Sequence, residues 1–179
     1  MNKWILDRDY KPAIRQEVKQ VIMGNDDYTL KDAEQAAIEI VSGYLRSKYD
    51  TTLIFIHIPK FVTDTQYNLG DYVHDANDTI FKALVNNPGN ILTDPAKWVA
   101  SDPRNKALLM VVIDVTLYYL HSNISPRNMP ELRVKRYDDA IAWLKMVQSE
   151  KVTPDLPILT DVVTPNYTLG SREKTTDRW

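Results

Sequence analysis

The run Ala107–Leu120, ALLMVVIDVTLYYL, constrains this chain more than any other segment. It falls short of the roughly 20 apolar residues that cross a bilayer, and Asp114 interrupts it. A helix that is apolar nearly all round must be buried on most sides. The run therefore predicts a central helix around which other elements pack. It also makes Asp114 the charge to explain, because a buried carboxylate must find a partner or shift its pKa. Arg46 and Arg136 are the candidate partners. The expectation is a structural ion pair that fixes how three helices pack, rather than a catalytic acid.

Other helices flank this run. In Lys11–Met23, Pro12 suits a first turn, and Ile14, Val18, Val21 and Ile22 follow helical spacing. Gly24 to Asp27 then stops it. Thr29 reads as the N-cap of a second helix that extends to about Tyr49. Its stripe is Leu30, Ala33, Ala37, Ile40, Val41, Tyr44 and Leu45, and its alanines allow close approach by a neighbour. A last helix spans Glu131–Ser149, with Leu132, Arg136, Tyr137, Ala140, Ile141, Leu144 and Val147 facing inward.

Between these helices the character changes. Thr51–Ile58, TTLIFIHI, is β-branched and aromatic and reads as a short strand ended by Pro59. Residues 67–73 and 79–85 are alternating segments separated by Asn77-Asp78, which predicts a hairpin. Asn86 to Asn90 is a second turn cluster, and Trp98 closes the block. Residues 61–101 are therefore expected to form a small antiparallel β insertion. The fold class is mainly α: a bundle of about four helices, residues 1–60 and 102–152, with that insertion. Residues 153–179 follow as an extended C-terminal arm.

The arm would reach ~90 Å if fully extended. Pro154, Pro157 and Pro165 favour extended backbone and lower the cost of ordering it on a partner. Ile158, Leu159, Val162 and Val163 are suited to a sheet edge or to apolar pockets. Arg172, Lys174, Arg178 and Trp179 complete the candidate partner-binding residues, with Trp179 as the terminal anchor.

Few residues point to catalysis. Five glycines leave no Walker-type phosphate loop, and no cysteine is present for a thiolate or a Cys-based metal site. His57, His74 and His121 form no HExxH pattern. Asp71, His74 and Asp75 are close enough in sequence to join around a metal, which would make a metal-dependent enzyme; ordinary hairpin polar residues are the expected reading. The basic residues Arg127, Arg133, Lys135 and Arg136 alternate with Glu131, Asp138 and Asp139, as on a solvated helix face. The nine-residue link Ser122–Pro130 is too long for a helix-turn-helix reader. A net charge of −2 gives no general attraction to nucleic acid or membrane surfaces. The N-terminus lacks the apolar run of a signal peptide, so an intracellular chain without cofactor is expected.

Three segments resemble one family. Gly43–Tyr49, GYLRSKY, is similar to the motif closing an early helix in tailed-bacteriophage head–tail connector (adaptor) proteins. Ile113–Leu120 resembles their central helix, and Arg136–Leu144, with its Arg-Tyr and Trp-Leu pairs, resembles their last helix. The resemblance implies a non-enzymatic virion protein at the portal vertex or neck, made in the host cytoplasm. It implies a homo-oligomeric ring, commonly of twelve copies, that joins portal to tail and surrounds the DNA exit channel without sequence-specific binding. The partners it implies are the portal protein and other tail or connector rings, gripped through the C-terminal arm; no membrane is involved. The insertion resembles a second kind of unit, a small chitin-binding-type β module. Its aromatics Tyr67, Tyr72, Phe81 and Trp98 would either bind sugar or form the module's own core. Carbohydrate binding is thus the alternative to the connector role.

Overall fold

The computed structural model describes residues 3–14, 27–124 and 126–160. Among the described residues, four α-helices and a three-stranded antiparallel sheet make up most of the regular structure. The architecture is mainly helical with a small β module, as the periodicity predicts.

After a 3-10 turn at Asp7–Tyr10, helix α1 spans Asp27–Leu45 and α2 is a single turn at Thr51–Ile54. Strands β1 (Tyr72–His74), β2 (Ile80–Ala83) and β3 (Trp98–Ala100) follow in sequence order across the sheet. Helix α3 spans Lys106–Ile124, a 3-10 turn covers Pro126–Asn128, and α4 spans Glu131–Gln148.

Helix α3 is the predicted centre. Leu108, Val112, Ile113, Val115, Thr116, Leu117 and Leu120 are all fully buried. Its neighbours α1 and α4 also touch each other, so the three helices share one core. Ala33 and Ala37 of α1 are buried, which lets the α1 and α3 backbones approach closely. Helix α4 contributes Ala140, Leu144 and Val147 to this core. Leu132, expected inward, is instead 64% exposed, because it lies in the first turn of α4, ahead of the buried stripe. Between α3 and α4 the Tyr118 and Tyr137 rings stack at 3.9 Å. Burial, aided by a hydrogen bond with Tyr119, pushes the Tyr137 hydroxyl up to about 12.

Several boundaries differ from the sequence expectation. Helix α1 begins at Asp27, so Thr29 is a helical residue rather than the cap, and the helix ends at Leu45, short of Tyr49. The first predicted helix falls largely on residues 15–26, outside the described residues. Thr51–Ile58 is not a strand. Asp50 Oδ1 accepts from the N–H groups of Thr52 and Leu53 at 2.9 and 3.2 Å. That N-cap satisfies donors a helix start would otherwise leave open, and it nucleates α2 despite the β-branched residues. The extended remainder runs between the N-terminal segment and the sheet. Ile58 N–H donates to the Lys3 carbonyl at 3.1 Å, and Phe61 N–H to the His74 carbonyl at 2.8 Å.

The hairpin is present, with Val73 opposite Phe81 and Lys82 opposite Val99. Asp78 takes a positive φ of 61° in its connecting turn, a conformation that Asp tolerates better than most residues. The module keeps its own small core of Tyr67, Val73, Ala83 and Trp98. A second cluster, Leu6, Ile58 and Ile80, joins it to the N-terminal segment.

Candidate interaction surfaces

Asp114 projects from the middle of α3 toward α4. Its Oδ1 lies 3.4 Å from Arg133 and 3.6 Å from Arg136. Arg136 was an expected partner. Arg46 was the other, but it is exposed at the end of α1, and Arg133 takes its place. Arg133 is therefore not part of a solvated basic face: its side chain is 11% exposed, and one turn of α4 carries both guanidiniums to the same carboxylate. Burial pushes the Asp114 carboxyl above its ordinary value, and the two arginines reduce that shift without reversing it. Burial likewise lowers the Arg133 guanidinium. Beside the pair, Met110 and Trp143 help line a groove of about 290 Å³. Shared by two arginines of α4, the carboxylate ties α3 to α4.

A stronger charge network was not anticipated from the sequence. Arg104 precedes α3 with its side chain 1% exposed. Its guanidinium donates to Asp9 Oδ2 at 2.5 Å, to Asp102 Oδ2 at 2.9 Å and to the Trp4 carbonyl at 2.7 Å. Asp9 Oδ2 also accepts from the Leu6 N–H at 2.8 Å. Burial alone would lower the Arg104 pKa, but the two carboxylates raise it overall. The network ties the N-terminal segment to the junction between module and α3. Trp4 adds a hydrogen bond from Nε1 to the Ile54 carbonyl at 2.8 Å and an edge contact with Phe55. The apolar triplet Trp4-Ile5-Leu6, followed by paired acids, is the sequence signal that could have revealed this anchor.

The module's aromatics resolve into two kinds. Tyr67 and Trp98 are 7% and 2% exposed and pack edge-on at 5.6 Å, with Phe61 against both. The Tyr67 hydroxyl is held by the Val62 backbone N–H at 2.9 Å. These two rings are core, so a sugar cannot stack on them without opening the module. Phe81 is half-buried against the same core, and Tyr72 is half-buried with Lys82 Nζ 5.6 Å from its ring.

Asp71, His74 and Asp75 do not converge. Asp71 Oδ2 accepts from the Asn68 N–H, while Asp75 Oδ1 accepts from the N–H groups of Asn77 and Thr79. Both carboxylates thus hold turns. Among the described residues, no group of three His, Asp or Glu is placed to hold a metal.

The start of the C-terminal arm is already used by its own chain. Leu156 is 9% exposed and joins the helical core. Tyr49 and Ile158 form an antiparallel bridge: Asp50 N–H donates to the Pro157 carbonyl at 2.9 Å, and Leu159 N–H to the Lys48 carbonyl at 3.0 Å. Asn105 Nδ2 reaches the Asp155 carbonyl at 3.2 Å. Ile158 and Leu159 were expected to add to a partner's sheet edge or to fill its apolar pockets. Their backbone pairs within the chain, and their side chains remain 62% and 42% exposed. Val162, Val163, Arg172, Lys174, Arg178 and Trp179 lie outside the described residues.

Comparison of the chain with protein-family models, with curated proteins and with solved structures finds no match. Among the described residues, no helix is long and apolar enough to cross a membrane.

Proposed function

We propose that this chain is a structural, ring-forming virion protein of the tailed-phage head–tail connector kind, joining portal to tail around the DNA exit channel. The observation that carries the reading is where apolar side chains remain uncovered. On the β module Leu69, Ile91 and Val99 are 62%, 64% and 42% exposed. On α4 Leu132 and Met146 are 64% and 39% exposed, and Ile158 and Leu159 add to them on the docked C-terminal segment. A ring subunit needs two different patches, one for each neighbour, and further contacts to the rings above and below. Uncovered apolar groups on three separate elements suit that need better than they suit a single ligand site. The resemblance of Gly43–Tyr49, Ile113–Leu120 and Arg136–Leu144 to connector helices supports the connector reading.

The docked segment changes how the arm is tested. Ending the chain at Val152 would remove Leu156 and the Tyr49–Ile158 bridge, and so would confuse stability with attachment. Ending it after Thr160 keeps both. In this reading the shorter chain retains its circular dichroism spectrum and loses co-sedimentation with the portal protein. Undiminished co-sedimentation would remove residues 161–179 from the attachment role.

A further inference from the structure

A cleft of about 510 Å³ opens between the N-terminal segment and the hairpin turn of the module. Lys3, Arg8, Lys11 and Lys60 all line it. The N-terminal segment brings the first three. The extended strand-like run after α2 brings the fourth, held in place by the bridge between Lys60 and His74. Lys3, Lys11 and Lys60 make no ion pair among the described residues, and Arg8 reaches Asp9 and Asp102 at 3.9 and 3.8 Å.

The acids on the same rim are engaged in structure. Asp75 Oδ1 holds the turn through two backbone N–H groups. Asp78 Oδ2 accepts from the Arg8 N–H at 3.0 Å, and its Oδ1 lies 3.3 Å from His74 Nδ1. Asp7 is the third carboxylate, so four cations face three anions in a chain whose net charge is −2. His74 forms the wall behind Asp78 with its side chain 5% exposed. Both neighbours of its Nδ1 are oxygen acceptors, Asp75 O and Asp78 Oδ1, so Nδ1 carries the proton. Nε2, an acceptor in that tautomer, is buried without a hydrogen-bond partner among the described residues and adds nothing to anion binding.

We infer that this cleft binds a phosphate-class oxyanion. Lysines that make no ion pair among the described residues converge from two segments and place positive charge around one concave space, which attracts an anion. A phosphate offers several acceptor oxygens and up to two charges to lysines that make no ion pair among the described residues, and lysine is a common phosphate binder. The volume admits the anion together with part of the molecule that carries it. The site does not depend on the ring-forming role, since all of its residues belong to one subunit.

The test is a titration of the full chain with inorganic phosphate and with pyrophosphate, followed by amide and imidazole NMR shifts. Saturable shifts centred on Arg8, Lys11, Lys60 and the His74 turn are expected. Lys11→Ala and Lys60→Ala should each weaken binding about fivefold, as for loss of one unit charge at about 4 Å in water. Both lysines are on the surface, so circular dichroism should show the variants folded. Shifts spread evenly over all surface lysines, or unchanged affinity in the Lys11→Ala/Lys60→Ala double variant, would overturn the inference. Competition by a short DNA duplex then distinguishes the source: displacement of pyrophosphate assigns the site to backbone phosphate, and no displacement assigns it to a free phosphorylated ligand.

Discussion

Two buried charges divide the work at the scale of single residues. Arg104 is surrounded by Asp9, Asp102 and the Trp4 carbonyl, and its removal would leave the buried Asp9 carboxylate with only the Leu6 N–H and Arg8, 3.9 Å away, to offset its charge. Arg104→Met is expected to cost about 3–5 kcal/mol, the range for breaking one side of a buried pair. Urea unfolding would read this directly. Asp114 behaves differently, because burial outweighs its two arginines and its folded pKa is raised. A raised carboxyl pKa contributes stability that is fully present below the unfolded value, about 3.9, and is lost as pH rises through the folded pKa. Asp114→Asn keeps an acceptor for Arg133 and has no such dependence. The variant should therefore gain on the wild type between pH 3.5 and pH 7, measured as the difference in urea midpoints. Asp102 runs the other way. Burial opposes its ionisation, but Arg104 more than offsets that, and its pKa is lowered. Its contribution is present above the unfolded value and fades as pH falls through the folded one. A variant that loses ground to the wild type as pH rises would show that the arginines outweigh burial at Asp114.

At the scale of elements, the segment that follows α4 is the informative one. Its backbone completes a bridge to the chain after α1, and Leu156 fills the edge of the helical core. Leu156→Ala should cost about 2 kcal/mol by the usual cost of emptying a buried leucine site, visible as a lower thermal midpoint with an unchanged spectrum. How much of this was legible follows from the kind of interaction. Helices α1, α3 and α4 could be read because their burial repeats with the helical period, which sequence displays directly. The hairpin could be read because Asn77-Asp78 marks its turn. Thr51–Ile58 reads as a strand by its β-branched composition, but the Asp50 side chain just before it caps a helical turn. Arg133 as Asp114's partner, Arg104 with Asp9, and Leu156 in the core are long-range contacts, and no local pattern encodes which distant residue answers a charge. The cleft lysines were invisible for the same reason: Lys3, Lys11 and Lys60 are unremarkable until the fold sets them around one space.

At the scale of the whole molecule, a well-filled helical core coexists with apolar groups left uncovered on the module, on α4 and on the docked segment. In the proposed ring those groups would meet neighbouring subunits. The same reasoning sets the module's role. Its largest rings are spent on its own core, so in the proposed ring its contact surface would be Leu69, Ile91 and Val99. The claim that joins these observations is that the chain works as one member of a closed ring on the portal. Electron microscopy of the chain assembled with the portal protein tests it most directly. The account predicts a closed ring of identical subunits, commonly twelve, seated on the portal around an open channel. Single copies with no ordered density at the portal would contradict it.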